Sequence, residues 1–203
     1  NSTRKYSVNF STPKRSKKSV KFIIIHYTGM KNQSKAIKKL CEFNSKVSAH
    51  YFIKNDGKLL NLVPDLYEAW HAGKSSWKNF KSLNRNSIGI EINNPGHDNG
   101  YLKFKEKQLF TLNRLLRELI KKYKIRINNI LGHSDISPNR KKDPGEKFPW
   151  KRLKRKKLGI WYNSLKVNSR EINNKKITKL FFRNLYKIGY RYFHLNKRSK
   201  KDI

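Results

Sequence analysis

The chain has one cysteine, one methionine and only 13 Asp and Glu among 203 residues. A single thiol, Cys41, cannot close an intrachain disulfide, so the cysteine content does not reveal a compartment. It falls in an expected helix, where it reads as a small buried hydrophobe rather than a nucleophile. No apolar run approaches the roughly 20 residues of a bilayer-spanning helix. The N-terminus shows no signal-peptide apolar region and starts at Asn1, which leaves a processed start open. With so few acids the 49 Lys and Arg go uncompensated, giving a formal charge of +36. Such a chain is expected to adhere to polyanions: nucleic acid, anionic lipid or an anionic cell wall. A compositional bias towards Lys, Asn and Ile would produce the same excess, so charge alone selects no partner. No helix-turn-helix, zinc-finger or aromatic RNA-binding motif accompanies it, and no specific nucleic-acid ligand is expected.

What is present supports a folded domain. Hydrophobic residues make up 36% and aromatics 12%. Lys21–His26 is a nearly continuous apolar run, the pattern of a strand buried on both faces. Ala36, Ile37, Leu40 and Phe43 recur at helical spacing after Asn32. His50–Ile53 and Leu59–Val63 flank Asn55-Asp56-Gly57, a hairpin signal. Ser87–Ile92 and Asn129–Gly132 read as short strands. Between them Leu109, Leu112, Leu116, Leu119 and Tyr123 form the apolar stripe of a helix over Lys105–Tyr123.

Strands alternating with helices, plus one hairpin, predict an α/β domain with a mixed central β-sheet flanked by helices. A basic arm over 1–19 precedes it and the domain covers 20–160. Residues 161–203 hold a linker over 163–175, then a basic helical extension with Ile177, Leu180, Phe181, Leu185, Ile188 and Tyr192 on one stripe. One helix cannot make a domain, so it docks on the body or belongs to a partial module.

Two of the six histidines stand where strands end, His26 and His133, and Asp143 follows His133 by ten residues. Strand ends in α/β folds face the ligand crevice. Two imidazoles and a carboxylate make a catalytic zinc set with a fourth position left for water. On spacing alone, a strand-end histidine is as readily a satisfied polar residue, and Asp before Pro-Gly is ordinary turn chemistry. In Ser87–Ile92 the side chains alternate, so Ile88, Ile90 and Ile92 share one face and Gly89 and Glu91 the other. A mid-strand carboxylate is costly to bury unless it is paired or used, and Gly89 beside it would leave room for a ligand. Lys141, two residues before Asp143, would place positive charge near a developing oxyanion; its plain alternative is one more solvated lysine.

Six blocks in order carry a resemblance: His26-Tyr27-Thr28, Val47-Ser48-Ala49-His50-Tyr51, Trp70-His71-Ala72-Gly73, Ser87-Ile88-Gly89-Ile90-Glu91, Gly132-His133-Ser134-Asp135 and Lys141-Lys142-Asp143-Pro144-Gly145. Over roughly 20–155 the chain resembles the type 2 N-acetylmuramoyl-L-alanine amidases, whose superfamily includes phage-lysozyme-type amidases and peptidoglycan recognition proteins. The resemblance implies one zinc ion per chain held by His26, His133 and Asp143, a general base at Glu91 and an oxyanion-stabilising Lys141. It implies a substrate groove lined by His71 and Trp77, and a structural His50. Some relatives use a Tyr where this chain has Ala49, which favours the Glu-based variant here. The implied reaction cuts the amide between N-acetylmuramic acid and L-alanine in peptidoglycan or muropeptides. The competing reading is a non-catalytic peptidoglycan-binding protein, against which the intact ligand set argues. Related enzymes work on both sides of the bacterial inner membrane, so compartment stays open, as does oligomeric state. The 163–203 segment loosely resembles the start of a peptidoglycan-binding helical module.

Overall fold

A strand with apolar side chains on both faces needs cover on both sides, and Phe22–Ile25 is such a strand. In the computed structural model, which describes residues 3–4, 6–162 and 175–193, that strand lies inside a six-stranded sheet. The strands among the described residues are β1 (Thr3–Arg4), β2 (Phe10–Ser11), β3 (Phe22–Tyr27), β4 (Tyr51–Ile53), β5 (Leu59–Asn61), β6 (Glu68–Ala69), β7 (Ser76–Trp77), β8 (Phe80–Lys81), β9 (Ser87–Ile92) and β10 (Ile130–Gly132). The helices are α1 (Gln33–Cys41), α2 (Glu106–Tyr123), α3 (His133–Ile136), α4 (Trp150–Arg155) and α5 (Lys175–Ile188). The main sheet runs β1-β5-β4-β9-β3-β10, antiparallel only at the β4–β5 hairpin. It is the mixed, helix-flanked sheet that the sequence predicts. Among the described residues, no helix is long and apolar enough to cross a membrane.

Alternation along the strands divides the core. Ile23, Ile25, Ile88, Ile90 and Ile92 meet the Leu109, Leu112, Leu116 and Leu119 stripe of α2 on one face. Phe22, Ile24 and Leu131 point to the other face, against Trp77, Leu83 and Ile136. There α1 also packs Ala36, Ile37 and Leu40 on Phe52 and Leu60. Helix α1 starts where the Asn32 side chain accepts from Lys35 N–H (2.9 Å), and α2 where Gln108 Oε1 accepts from Lys105 N–H (3.0 Å). Cys41 is half-buried at the edge of the α1 cluster.

Helix α5 forms, but its expected stripe is not the docking face. Ile177, Leu180, Phe181 and Ile188 are exposed, Leu185 is half-buried and Phe182 is buried. The anchor lies just past the helix. Lys78 N–H donates to Gly189 O (2.8 Å), and the Tyr190 ring meets Trp77 edge-on with centroids 4.8 Å apart. The Tyr190 hydroxyl donates to Asp135, two residues after His133. A side chain at residue 189 would strike the indole, since a Cβ there would stand 2.3 Å from Trp77 Cε2. Lys175, expected in the linker, already belongs to α5; residues 163–174 and those after 193 lie outside the described residues. Tyr190→Ala removes the cover over Trp77 and the hydrogen bond to Asp135, and should cost about 1–3 kcal/mol. Denaturant unfolding of the full chain measures this, and an unchanged midpoint would show that the anchor does not hold in solution.

Candidate active site and metal centre

Strands β3, β9 and β10 are parallel neighbours, so their C-terminal ends collect at one edge of the sheet. The β3–β9 register sets His26 opposite Glu91. Gly132 pairs with Ile25, so His133 emerges beside His26 as α3 begins. The following loop returns Asp143 to the same place, tied by Ser134 N–H to Asp143 O (2.8 Å). His26 Nδ1 and His133 Nδ1 are 3.0 Å apart, and Asp143 Oδ2 lies 2.9 and 3.1 Å from them. All three residues are buried, at 1%, 3% and 6% exposure. Their converging atoms could hold a metal ion.

Electrostatics agree with this. Burial pulls His26 down to about 4, and a positive charge on His133 would lower it further, against the pull of Asp143. Burial opposes ionisation of Asp143, yet the His133 and His26 imidazoles against it outweigh that and hold the carboxyl well below the usual range. At neutral pH the triplet therefore offers a neutral His26 imidazole and a carboxylate. Two nitrogens and one oxygen are the donor set that zinc accepts.

Glu91 faces the same cleft as its strand alternation predicts. Its Oε2 is buried without a hydrogen-bond partner among the described residues. Burial, then the negative charge of Asp143, pushes its carboxyl up to about 8, while Lys141 and Lys39 pull it down. An unpartnered carboxyl held near neutrality is suited to moving a proton. The cleft has a volume of about 340 Å³ and is bordered by Tyr27, Trp70, Lys39, Arg140, Lys141 and Lys142. Lys141 is half-buried at this border.

Two expectations change. Trp77 does not line the cleft: it is 1% exposed, packed with Phe22, Ile24 and Leu83 and covered by Tyr190. The space over Gly89 is not left for a ligand either, because the His71 ring fills it; a Cβ on Gly89 would stand 2.4 Å from His71 Cγ. His71 does border the cleft, with Nδ1 3.0 Å from His26 Nε2. His50 is fully buried in a structural network, its Nδ1 accepting from Gly89 N–H (3.0 Å) and its Nε2 facing Arg15 (2.9 Å) and Tyr67 O (3.0 Å).

Sequence reasoning missed three residues around the triplet. Arg140 donates to Ala72 O (2.9 Å) and Lys74 O (3.1 Å), pinning the segment against which His133 rests. Asn84 Oδ1 accepts from both His71 N–H (3.1 Å) and Ala72 N–H (2.7 Å). Ser87 Oγ lies 3.2 Å from His71 Nε2. Only Ser87 left a signal: it shares the alternating face of Gly89 and Glu91.

Residues 16–146 match the N-acetylmuramoyl-L-alanine amidase family, and the chain belongs to it. The N-acetylmuramoyl-L-alanine amidase AmiD of Escherichia coli (strain K12) is 36% identical over 162 residues, covering 73% of this chain and 57% of that protein. Among solved structures, AmpDH3 from Pseudomonas aeruginosa has a TM-score of 0.79 at 28% identity, covering 96% of this chain and 82% of that one. AmiD from E. coli, in complex with the substrate anhydro-N-acetylmuramic acid-L-Ala-D-gamma-Glu-L-Lys, has a TM-score of 0.74 at 29% identity, covering 89% and 75%. The chain spans a little over half the length of the curated relatives it matches.

Proposed function

We propose that this protein is a zinc-dependent amidase that hydrolyses the bond between N-acetylmuramic acid and L-alanine in peptidoglycan or in muropeptides. The observation that carries this reading is the convergence of His26 Nδ1, His133 Nδ1 and Asp143 Oδ2 within 3.1 Å, beside an unpartnered Glu91. Family membership and a relative solved with an anhydromuramoyl peptide support the substrate class.

His26, His133 and Asp143 would hold the zinc ion. When bound, zinc lowers the pKa of water to about 7 and polarises a carbonyl oxygen, which an unactivated amide requires. Glu91 takes the proton of the attacking water and returns it to the departing amine of L-alanine. The Lys141 ammonium offsets negative charge developing on the lactyl carbonyl oxygen. Lys39, Arg140 and Lys142 make the cleft border basic, suited to the carboxylates of a stem peptide. We assign catalysis to the domain over 20–160, with the C-terminal segment 161–203 as an extension anchored through Gly189 and Tyr190.

The test is mass spectrometry of muropeptides incubated with the purified chain, with and without a chelator. Free peptide and lactyl sugar should appear only without chelator; intact muropeptides after incubation with zinc-loaded protein would overturn the reading. Lys141→Ala should keep its metal and lose on the order of 10²–10³ in kcat with KM little changed. A raised KM at unchanged kcat would assign Lys141 to binding instead.

A further inference from the structure

His71 supplies no atom to the His26–His133–Asp143 triplet, yet its ring lies directly behind His26. The two rings cross at 81° with centroids 5.1 Å apart, and His26 Nε2 and His71 Nδ1 are 3.0 Å apart. On its far side His71 Nε2 meets Ser87 Oγ at 3.2 Å, and that hydroxyl donates to Leu83 O at 2.7 Å.

The proton positions follow in order from that carbonyl. Leu83 O can only accept, so the single Ser87 hydroxyl proton points to it. The Ser87 oxygen then faces His71 with a lone pair, so His71 Nε2 carries its ring proton. A neutral imidazole has one N–H, which leaves His71 Nδ1 bare. His26 must therefore donate through Nε2, and its own Nδ1 is left bare, facing Asp143 Oδ2 and His133 Nδ1. We propose that His71 is a positioning residue, a relay from Ser87 that fixes the tautomer and ring orientation of His26 for metal binding. The inference rests on the zinc reading above and adds to it a residue outside the ligand set.

The molecule is built around this ring. Gly89 leaves its place open, because any side chain there would overlap His71. Asn84 fixes the backbone at His71 and Ala72. The next residue serves the other imidazole: Ala72 O lies 3.1 Å from His133 Nε2, nearer than the Arg140 Nη2 donor at 3.4 Å, and an Nε2–H given to that carbonyl turns His133 Nδ1 to the triplet as well. One short segment thus sets both histidines, through a carbonyl for His133 and a ring for His26. Metal-binding histidines commonly give their second N–H to a carbonyl or carboxylate. A carbonyl can only accept, whereas an imidazole can reverse its donor and acceptor. The His26 arm is therefore locked only as firmly as Ser87 locks His71.

Three full-length variants test this: His71→Leu, which has no acceptor, His71→Asn, whose Oδ1 can replace Nδ1, and Ser87→Ala. Zinc affinity is measured by competition with a chromophoric chelator, and imidazole tautomers by long-range ¹⁵N correlation of the metal-free chain. His71→Leu should bind zinc about 10–100-fold more weakly, His71→Asn should recover most of that, and Ser87→Ala should fall between. His26 should show the Nε2–H form in the wild type and in His71→Asn, and a mixture in His71→Leu. Equal weakening in Leu and Asn variants would reduce His71 to packing and overturn the proposal. So would unchanged zinc affinity with a raised KM, which would make it a substrate contact. If the wild type binds no zinc, the metal reading fails. The relay is then judged on the metal-free spectra alone, where a mixed His26 tautomer in the wild type overturns it.

Discussion

Glu91→Gln should leave zinc bound and remove about 10²–10⁴-fold of turnover, the usual contribution of a general acid–base group. Glutamine keeps the volume and the strand position but cannot accept the proton. Glu91 is not one of the converging ligand atoms, so metal content should not change. The same substitution has an opposite signature in stability. Burial raises the Glu91 carboxyl from 4.5 to about 8, so the metal-free chain takes up a proton on folding between those values. A carboxyl whose pKa is raised by folding contributes stability that is present below pH 4.5 and is lost as pH rises through about 8. Metal-free Glu91→Gln should therefore melt higher than metal-free wild type at pH 8, and the gap should close towards pH 4. Bound zinc should narrow the gap as well, because a nearby cation favours the carboxylate. Near-normal turnover in Glu91→Gln would assign the base elsewhere. Identical melting curves at pH 8 would mean that the carboxyl is better solvated than its surroundings imply.

His26→Ala and His133→Ala should each reduce zinc from about one per chain to near zero, with activity falling to that of chelated wild type. Each change removes one of three protein donors and leaves a buried void on one side of the site. The remaining pair keeps Asp143 beside one imidazole, too few donors to hold a catalytic ion against competing chelators. Elemental analysis after gel filtration measures the loss directly. Full occupancy in both variants would show that the ion, if any, sits elsewhere. The two experiments separate roles: Glu91→Gln loses turnover without metal, and the histidine variants lose both.

Only the strand-borne part of this site, His26 and Glu91, could be read from local pattern; Asp143 and Lys141 lie in an irregular loop, and their roles came from the family resemblance. The apolar run before His26 gave a central strand, and the alternation in Ser87–Ile92 gave the inward face of Glu91. Both depend on local periodicity, which survives into the fold. The contents of the space over Gly89 could not be read this way, because His71 arrives from an irregular segment and only tertiary packing puts it there. Trp77 looked like a groove residue on motif resemblance, yet Tyr190 and the second core layer enclose it. Periodicity also gave helix α5 but not its docking side, since the anchor is a turn rather than a stripe. The network of Asp65 with Tyr51, Lys122 and Tyr123 joins the loop after β5 to β4 and α2 and has no sequence signature at all.

His26 and Glu91 occupy facing positions of one parallel ladder, so their separation is set by backbone hydrogen bonds. No loop length enters it. The segments that border the cleft, around Met30, Val47 and Lys142, can lengthen, shorten or change charge without disturbing that pair. Evolution can thus vary what enters the cleft while leaving the distance between Glu91 and His26 untouched, and a designer grafting new loops onto this sheet would have the same freedom.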